Sequence, residues 1–530
     1  ILPHANGVVY LEKPPLLYWL VAASMRSFRE NAFAARLPSA LAAFATTGLL
    51  VAAGRRLGPR SSGALAGVIF ATSMGLVLVA RQVLFDSLLT LWTTLALLSF
   101  WFGTASKSGT RRCRPALVLV GYAALALALL TKGLVGVALP VLTILTYSVV
   151  ARDAGRMRRA WSVPGIVLFL AIAVPWHVAA ALAEKRFAWF YFVNEHWLRF
   201  LGRRQPADFH EDPLFSPVLS LVLLLLPWGV FLAGAFRSEW REREGRRLRP
   251  ETVFLFCWAL VPALFFTLSR TRTYYYQLPS VPALALLLGR FWARAWEQPR
   301  PSPRPRGFLF PAAGLAVVVA AAWLFAGFGS WGSLRNAAWH ALAFACGGWL
   351  LAGLIAGTLF IATHREKAAF AAIAAGVLGT IVVGIRFAAE SGHPVFRSDE
   401  ASARLIASLG APEGTRVAVE GKFENHSSLA FYLPRRFRPL LVVDAVGQGD
   451  LAFGSTLEDT RGIFVSTPTM FELTDNQPLF YLTLSPSKLR VPPKLKLVTC
   501  DDETMLWTNI GEADHLSIGS SVQHPSTRGN

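Results

Sequence analysis

Glu12 and Lys13 stand directly before two prolines, in the stretch YLEKPPLLYWL that covers residues 10–20. A carboxylate beside an ammonium supplies a base and a fixed positive charge at one place, a pairing suited to displacing an anionic leaving group. The prolines remove backbone donors and keep the residue before them extended, so Glu12-Lys13 is presented on a non-helical approach. A short helix can start at Pro15, and Leu16, Leu17, Trp19 and Leu20 give it an apolar face suited to a membrane surface. Elsewhere the chain carries Arg81, Asp86, Lys132, Glu195, His196, Arg199, Arg270, Arg272 and the run Tyr274-Tyr275-Tyr276, all in or beside connections between apolar segments. Taken singly, each has an ordinary use. Lysine and arginine snorkel from helix ends, tyrosine and tryptophan populate the interfacial belt, and Asp86 can stabilise a helix's first turn by about 0.3–1 kcal/mol. Taken together, basic residues recurring on one side of a membrane ask for an anionic partner, and phosphate suits the fork of arginine and the point charge of lysine.

The elements that must position these residues are membrane helices. The chain is 54% hydrophobic and only 16% charged over 530 residues, against roughly 25% charged in soluble domains. Apolar runs give about twelve candidate spans. They lie near residues 33–54, 63–84, 86–104, 116–131, 133–150, 162–183, 214–236, 251–269, 274–296, 307–328, 337–361 and 367–388. After residue 390 short alternating segments punctuated by Gly, Pro, Asp and Asn predict a small soluble α/β domain. The expected domains are therefore a transmembrane domain over 1–389, with an outer loop and interfacial helix in 1–32 and a long outer loop at 184–213, and an α/β domain over 390–530.

The formal charge of +20 does not call for nucleic acid, because its distribution follows membrane topology. Basic residues cluster in alternate loops: Arg55, Arg56 and Arg60; Lys107, Arg111, Arg112 and Arg114; Arg152 to Arg159; Arg237 to Arg249; Arg294 to Arg306; Arg365 and Lys367. That alternation places these loops in the cytoplasm and puts the N-terminus, the 390–530 domain and all the chemistry-bearing residues on the other side. Of the four cysteines, only Cys500 falls in the outer domain, while Cys113, Cys257 and Cys346 lie in or beside the membrane or on its inner side, so no disulfide framework is expected there. His196 has no Cys or His at ligand spacing, and no metal or other cofactor is required, since Lys and Arg can supply the positive charge. Residues 327–332, GFGSWG, fit a dinucleotide fingerprint but follow an apolar span instead of a strand, and are set aside. Asn425-His426-Ser427 is a glycosylation sequon that indicates only an exposed loop.

Several stretches together carry a resemblance: PHANGVVYLEKPPLLYWL, FAARLPSALAA, LTKGLVGVALP, PWHVAAAL with NEHWLRFLG, SRTRTYYYQLPSVPALALLLG and, more loosely, ENHSSLAFYLPRR. The chain resembles the bacterial aminoarabinose transferase (ArnT) branch of the protein O-mannosyltransferase superfamily, integral-membrane glycosyltransferases of GT-C type. The resemblance implies transfer of a sugar from a polyprenyl-phosphate donor to an envelope acceptor, a lipid A-type glycolipid or a protein Ser/Thr, on the outer face of a bacterial inner membrane. It implies Glu12 and Asp86 as catalytic carboxylates and Lys13, Lys132, Arg270 and Arg272 as ligands of the donor phosphate. Tyr10, His196, Arg199 and Tyr275 are expected to line the substrate cavity. Family members carry a further helix and an acidic loop ahead of the PHxNG segment, and that loop supplies the principal carboxylate; the chain is expected to lack it, being truncated at its N-terminus. The competing expectation is a multispan transporter or flippase of an anionic lipid or lipid-linked sugar, which would place its charges near the bilayer midplane on repeated halves. The charges here gather at one edge, and no repeat is evident.

Overall fold

The computed structural model describes residues 1–105, 114–207, 213, 216–243, 245, 247–297, 306–328, 334–390, 398–456, 460, 462–484, 491–500 and 504–510. The basic cluster of Lys107, Arg111 and Arg112, Cys113, the middle of the Arg294 to Arg306 run and residues 329–332 of the Gly-rich segment lie outside them. The chain divides into two compact units. One comprises Ile1, Lys13–Arg204 and Phe209–Val395; the other comprises Leu2–Glu12, Gln205–Asp208 and Phe396–Asn530.

The first unit is helical. Its helices are α1 (Leu16–Phe28), α2 (Ala32–Leu57), α3 (Ser62–Ala71), α4 (Met74–Ala80), α5 (Phe85–Gly103), α6 (Pro115–Lys132), α7 (Val135–Val150), α8 (Ala154–Ala160), α9 (Val163–Ala183), α10 (Ser216–Leu224), α11 (Leu232–Arg241), α12 (Pro250–Leu268), α13 (Val281–Glu297), α14 (Arg306–Phe328), α15 (Leu334–Ala362) and α16 (Glu366–Glu390). Local chemistry sets several starts. Asn31 Oδ1 accepts from Ala34 N at 2.8 Å to cap α2, Ser162 caps α9, and prolines occupy the first turns of α6, α9 and α12. α1 begins directly after Pro15, as the opening stretch predicts, with Leu16 and Leu17 buried and Trp19 exposed.

All of the expected spans contain helix, but about twelve independent crossings do not emerge. Among the described residues eight helices are long and apolar enough to cross a membrane, or up to ten if each bent pair is one span. The bent pairs are α3 with α4, turned by 59°, and α10 with the Trp228–Arg241 segment, turned by 107°. The remaining difference comes from α7, 16 residues long, and α13, 17 residues long, both short of the ~20 residues that a hydrocarbon core needs. α13 is the centre of the unit. Every residue from Val281 to Ala293 is buried, so it contacts protein on all sides, including Trp228 and Phe308 packed edge-on against Trp292.

The second unit is built on a six-stranded mixed sheet, ordered β5-β4-β3-β6-β8-β7. Its strands are β3 (Arg416–Glu420), β4 (Leu441–Val443), β5 (Phe464–Val465), β6 (Leu479–Leu484), β7 (Lys496–Cys500) and β8 (Thr504–Thr508), with α17 (Glu400–Ser408), α18 (Ser427–Tyr432) and α19 (Thr467–Asn476) beside them. β5, β4, β3 and β6 run parallel, while β8 and β7 close the sheet antiparallel. The parallel strands are buried and read as near-continuous apolar runs, as a covered parallel sheet requires. A small hairpin, β1 (His4–Ala5) with β2 (Val8–Val9), turns at Asn6-Gly7. It folds with this unit: Asn6 Nδ2 donates to Leu440 O at 2.9 Å and Asn6 Oδ1 accepts from Leu440 N at 2.8 Å, so one side chain imitates a strand edge. The chain is thus an α-helical polytopic membrane protein with a smaller α/β sheet unit.

Candidate functional site

Residues 189–198, expected as part of a long loop, are wound into a π-helix (Trp189–Leu198). Such wide turns are rare and are frequent at functional sites. This one carries Glu195 inward, where the carboxylate is buried. Three cations converge on it. Lys13 Nζ lies 2.7 Å from Glu195 Oε1, Arg199 Nη1 donates to the same oxygen, and Arg204 Nε lies 2.9 Å from Oε2. Their exposures differ in a way that matters: the Arg204 side chain is 2% exposed, whereas those of Lys13 and Arg199 are 18% and 17% exposed. Arg204 is a sealed strut, while the other two keep an accessible side. Burial pushes the Glu195 carboxyl up, but Lys13, Arg199 and Arg204 outweigh it and hold the group well below the ordinary carboxylate value.

A second pair stands nearby in the same unit. Asp86, in the first turn of α5, accepts from Lys132 Nζ at 2.6 Å, and Lys132 closes α6. The ammonium also lies 4.2 Å above the Tyr276 ring and 5.8 Å from that of Tyr275, within reach of cation–π attraction. The two groups of charges are electrostatically linked: Lys13 acts on Asp86, and Tyr275 senses both Asp86 and Arg199.

His196 fastens the two together. Its Nδ1 meets Tyr191 O at 2.5 Å and its Nε2 accepts from Leu134 N at 3.0 Å, a set of partners that requires the neutral ring protonated on Nδ1. Burial accordingly lowers its pKa below the ordinary histidine value. Between Lys132 and Leu134, Gly133 adopts φ +81°, and a Cβ there would fall 2.1 Å from His196 Nε2. Glycine is required at that point by conformation and by space alike.

The structure therefore brings Lys13, Asp86, Lys132, His196, Arg199 and Tyr275 into one neighbourhood. It does not bring Arg270 there: that side chain packs on Gly202 and lines a separate groove with Arg203. Arg272 Nη2 reaches Thr267 O at 3.3 Å, at the end of α12. Tyr10 packs against the sheet unit's core, and Glu12 is buried and belongs by contact to that same unit. Sequence reasoning gave no site role to two members, although Glu195 stood among the charged residues of the outer connections. Glu195 was visible as a carboxylate four residues before Arg199, a spacing that pairs on a helix. Arg204 follows Arg203 in what reads as a solvated basic run and gave no signal.

Residues 4–191 match the family model of dolichyl-phosphate-mannose-protein mannosyltransferases. The undecaprenyl phosphate-α-4-amino-4-deoxy-L-arabinose arabinosyl transferase of Pseudomonas aeruginosa strain UCBPP-PA14 is 34% identical over 294 residues, 54% of this chain and 51% of the relative. That of Enterobacter sp. strain 638 is 32% identical over 304 residues, 57% of this chain and 53% of the relative. The crystal structure of ArnT from Cupriavidus metallidurans bound to undecaprenyl phosphate superposes with a TM-score of 0.77 at 24% identity, covering 97% of this chain and 91% of that one. Its apo form superposes with a TM-score of 0.74 at 25% identity, covering 96% and 90%. The chain has the fold of ArnT from Cupriavidus metallidurans. By sequence, the chain spans about half the length of the curated relatives it matches, and the segment matched by the family model contains Lys13, Asp86 and Lys132.

Proposed function

We propose that this protein transfers a sugar from a polyprenyl-phosphate donor to an envelope acceptor at the outer face of a bacterial inner membrane, with a lipid A-type glycolipid as the acceptor and the sheet unit on the periplasmic side. The observation that carries the reading is the excess of positive charge gathered around Glu195, with Lys132 and Tyr275 beside it, next to the ends of apolar helices. Such a site suits a phosphate attached to a chain that lies in the bilayer. The similarity to undecaprenyl-phosphate-dependent arabinosyl transferases supports the donor class.

In the reaction an acceptor oxygen forms a bond to the anomeric carbon as the bond from that carbon to the phosphate oxygen breaks. The bonding pair leaves on the polyprenyl phosphate, so negative charge grows there in the transition state. Lys13 and Arg199 are already fixed where that charge develops, and preorganised cations near a low-dielectric boundary stabilise it more than water does. Both hold the same oxygen of Glu195, so an arriving phosphate takes them over from Oε1 while Arg204 retains the carboxylate through Oε2. Asp86, oriented by Lys132, supplies a carboxylate toward the acceptor proton. An acceptor that is itself a phosphate needs positioning more than a base. With no covalent intermediate the displacement is single and inverting.

The test incubates the purified protein with labelled polyprenyl-phosphate sugars and envelope glycolipid, and identifies the labelled product. Label on the glycolipid, lost in Lys13→Ala, supports the reading. Movement of the lipid-linked sugar across sealed vesicles without any acceptor would replace it with the transporter reading.

A further inference from the structure

We infer that the groove lined by Arg203 and Arg270 is a second anion site, which seats the phosphate-bearing headgroup of the acceptor lipid while the Glu195 cluster holds the donor. The inference rests on the transferase reading above. Phe200, Leu201, Arg203, Leu268 and Arg270 line an open groove of about 310 Å3, large enough for part of a headgroup.

Its composition is divided. One wall is apolar: Leu268 is 73% exposed at the last turn of α12, and Leu264, one turn earlier, is 59% exposed. Since α12 is a membrane-crossing candidate, those leucines mark the end of its lipid-facing side, and acyl chains can run along them. The other wall is basic. Arg203 and Arg270 are both exposed, and among the described residues neither side chain meets a carboxylate. This is the opposite of Lys13, Arg199 and Arg204, which share one.

The groove is also built into the backbone. Gly202 has φ +71°, and a Cβ there would lie 3.1–3.2 Å from Cβ, Cγ and Cδ of Arg270, so the glycine lets the arginine stem lie against the main chain. Arg270 N donates to Phe200 O at 3.2 Å, joining the two segments that carry the arginines. Two like charges fixed beside one hollow repel each other until an anion enters between them. At the outer end of a span, where arginine is disfavoured by topology, the anion that fits both walls is the phosphate of an acylated lipid. The same loop belongs to the donor cluster, because Thr271 Oγ1 donates to Arg199 O at 3.4 Å. One short run of chain, Arg199 to Arg203, thus contributes cations to both places, as an enzyme joining two lipid-borne partners requires.

The test uses the full chain in nanodiscs and three probes: lipid A, enzymatically dephosphorylated lipid A, and phosphatidylglycerol, with undecaprenyl phosphate binding measured in parallel. The doubly substituted Arg203→Gln/Arg270→Gln protein is expected to bind lipid A at least tenfold more weakly, with undecaprenyl phosphate affinity changed less than twofold. Lys13→Ala is expected to show the reverse pattern, and Arg203→Lys/Arg270→Lys to keep part of the lipid A binding. Equal lipid A affinity in the parent and the Gln variant would overturn the proposal. So would equal binding of phosphorylated and dephosphorylated lipid A, or phosphatidylglycerol competing on equal terms, which would make the groove a general membrane anchor. If lipid A binds as expected yet no sugar is transferred to any acceptor, the transferase reading fails while the lipid site stands.

Discussion

Among the described residues of the helical unit, two buried carboxylates are each held by arginines, and they are built to opposite ends. Glu239 on α11 has a side chain with no exposure, and receives Arg290 Nη2 at 2.9 Å, Arg294 Nη2 at 2.8 Å and Thr252 Oγ1 at 2.6 Å. Its arginines are 3% and 11% exposed and both belong to α13. Glu195 draws its cations from three places, residues 13, 199 and 204, and two of them keep an open side. The first arrangement locks α11, α12 and α13 together. The second holds cations at the ready, because what can be reached from outside can be exchanged for a ligand. Burial of a charge is therefore not itself a functional sign; the accessibility of its partners separates a structural pair from a binding one.

The largest effect is expected at the structural carboxylate. Glu239→Ala leaves Arg290 buried without its partner and should cost about 3–5 kcal/mol, read as a marked fall in the thermal unfolding midpoint in detergent; an unchanged midpoint would erase the contrast. Lys13→Ala should lower kcat/KM for sugar transfer on the order of 10²-fold, the scale of removing one preorganised charge partner, with unfolding little changed. Should the two variants exchange these phenotypes, the assignment of roles is reversed. Glu195→Gln sharpens the comparison, since removing the anion that competes with phosphate should lower KM and also lower kcat, each by roughly tenfold, while a purely structural carboxylate would raise KM. The smallest effect concerns pH. His196 is held neutral with its pKa lowered from 6.5, so below that value the unfolded chain binds the proton more readily than the folded one. Stability from this residue is present above pH 6.5 and falls as the pH drops toward the lowered folded value. His196→Gln should flatten that slope in an unfolding-versus-pH series, and an unaltered slope would show that another group sets it.

Much of this architecture could be read from apolar run lengths and charged loops, because membrane helices advertise themselves by composition. α2, α5, α6, α9 and α12 fall close to their expected limits. What escaped depended on long-range geometry. Nothing near Asn6 announces that it pairs with Leu440, since the partner lies 434 residues away. Arg270 reads by sequence as one more phosphate ligand beside three tyrosines, yet the glycine at 202 draws its stem into a different hollow. The π-helix was invisible because its extra residue per turn leaves no periodic mark in ten residues. Arg204 looked like surface charge because the carboxylate that buries it sits on the preceding turns.

The enclosure of α13 bears on how the molecule is made. An arginine such as Arg290 is disfavoured against lipid, and with Val281 to Ala293 surrounded by protein the segment gains little from lipid in return. Its counter-ion is on α11, which precedes it in the chain. Synthesis from the N-terminus therefore delivers the Glu239 carboxylate before the arginine that it holds, while Phe308, which closes on the same helix, comes after it.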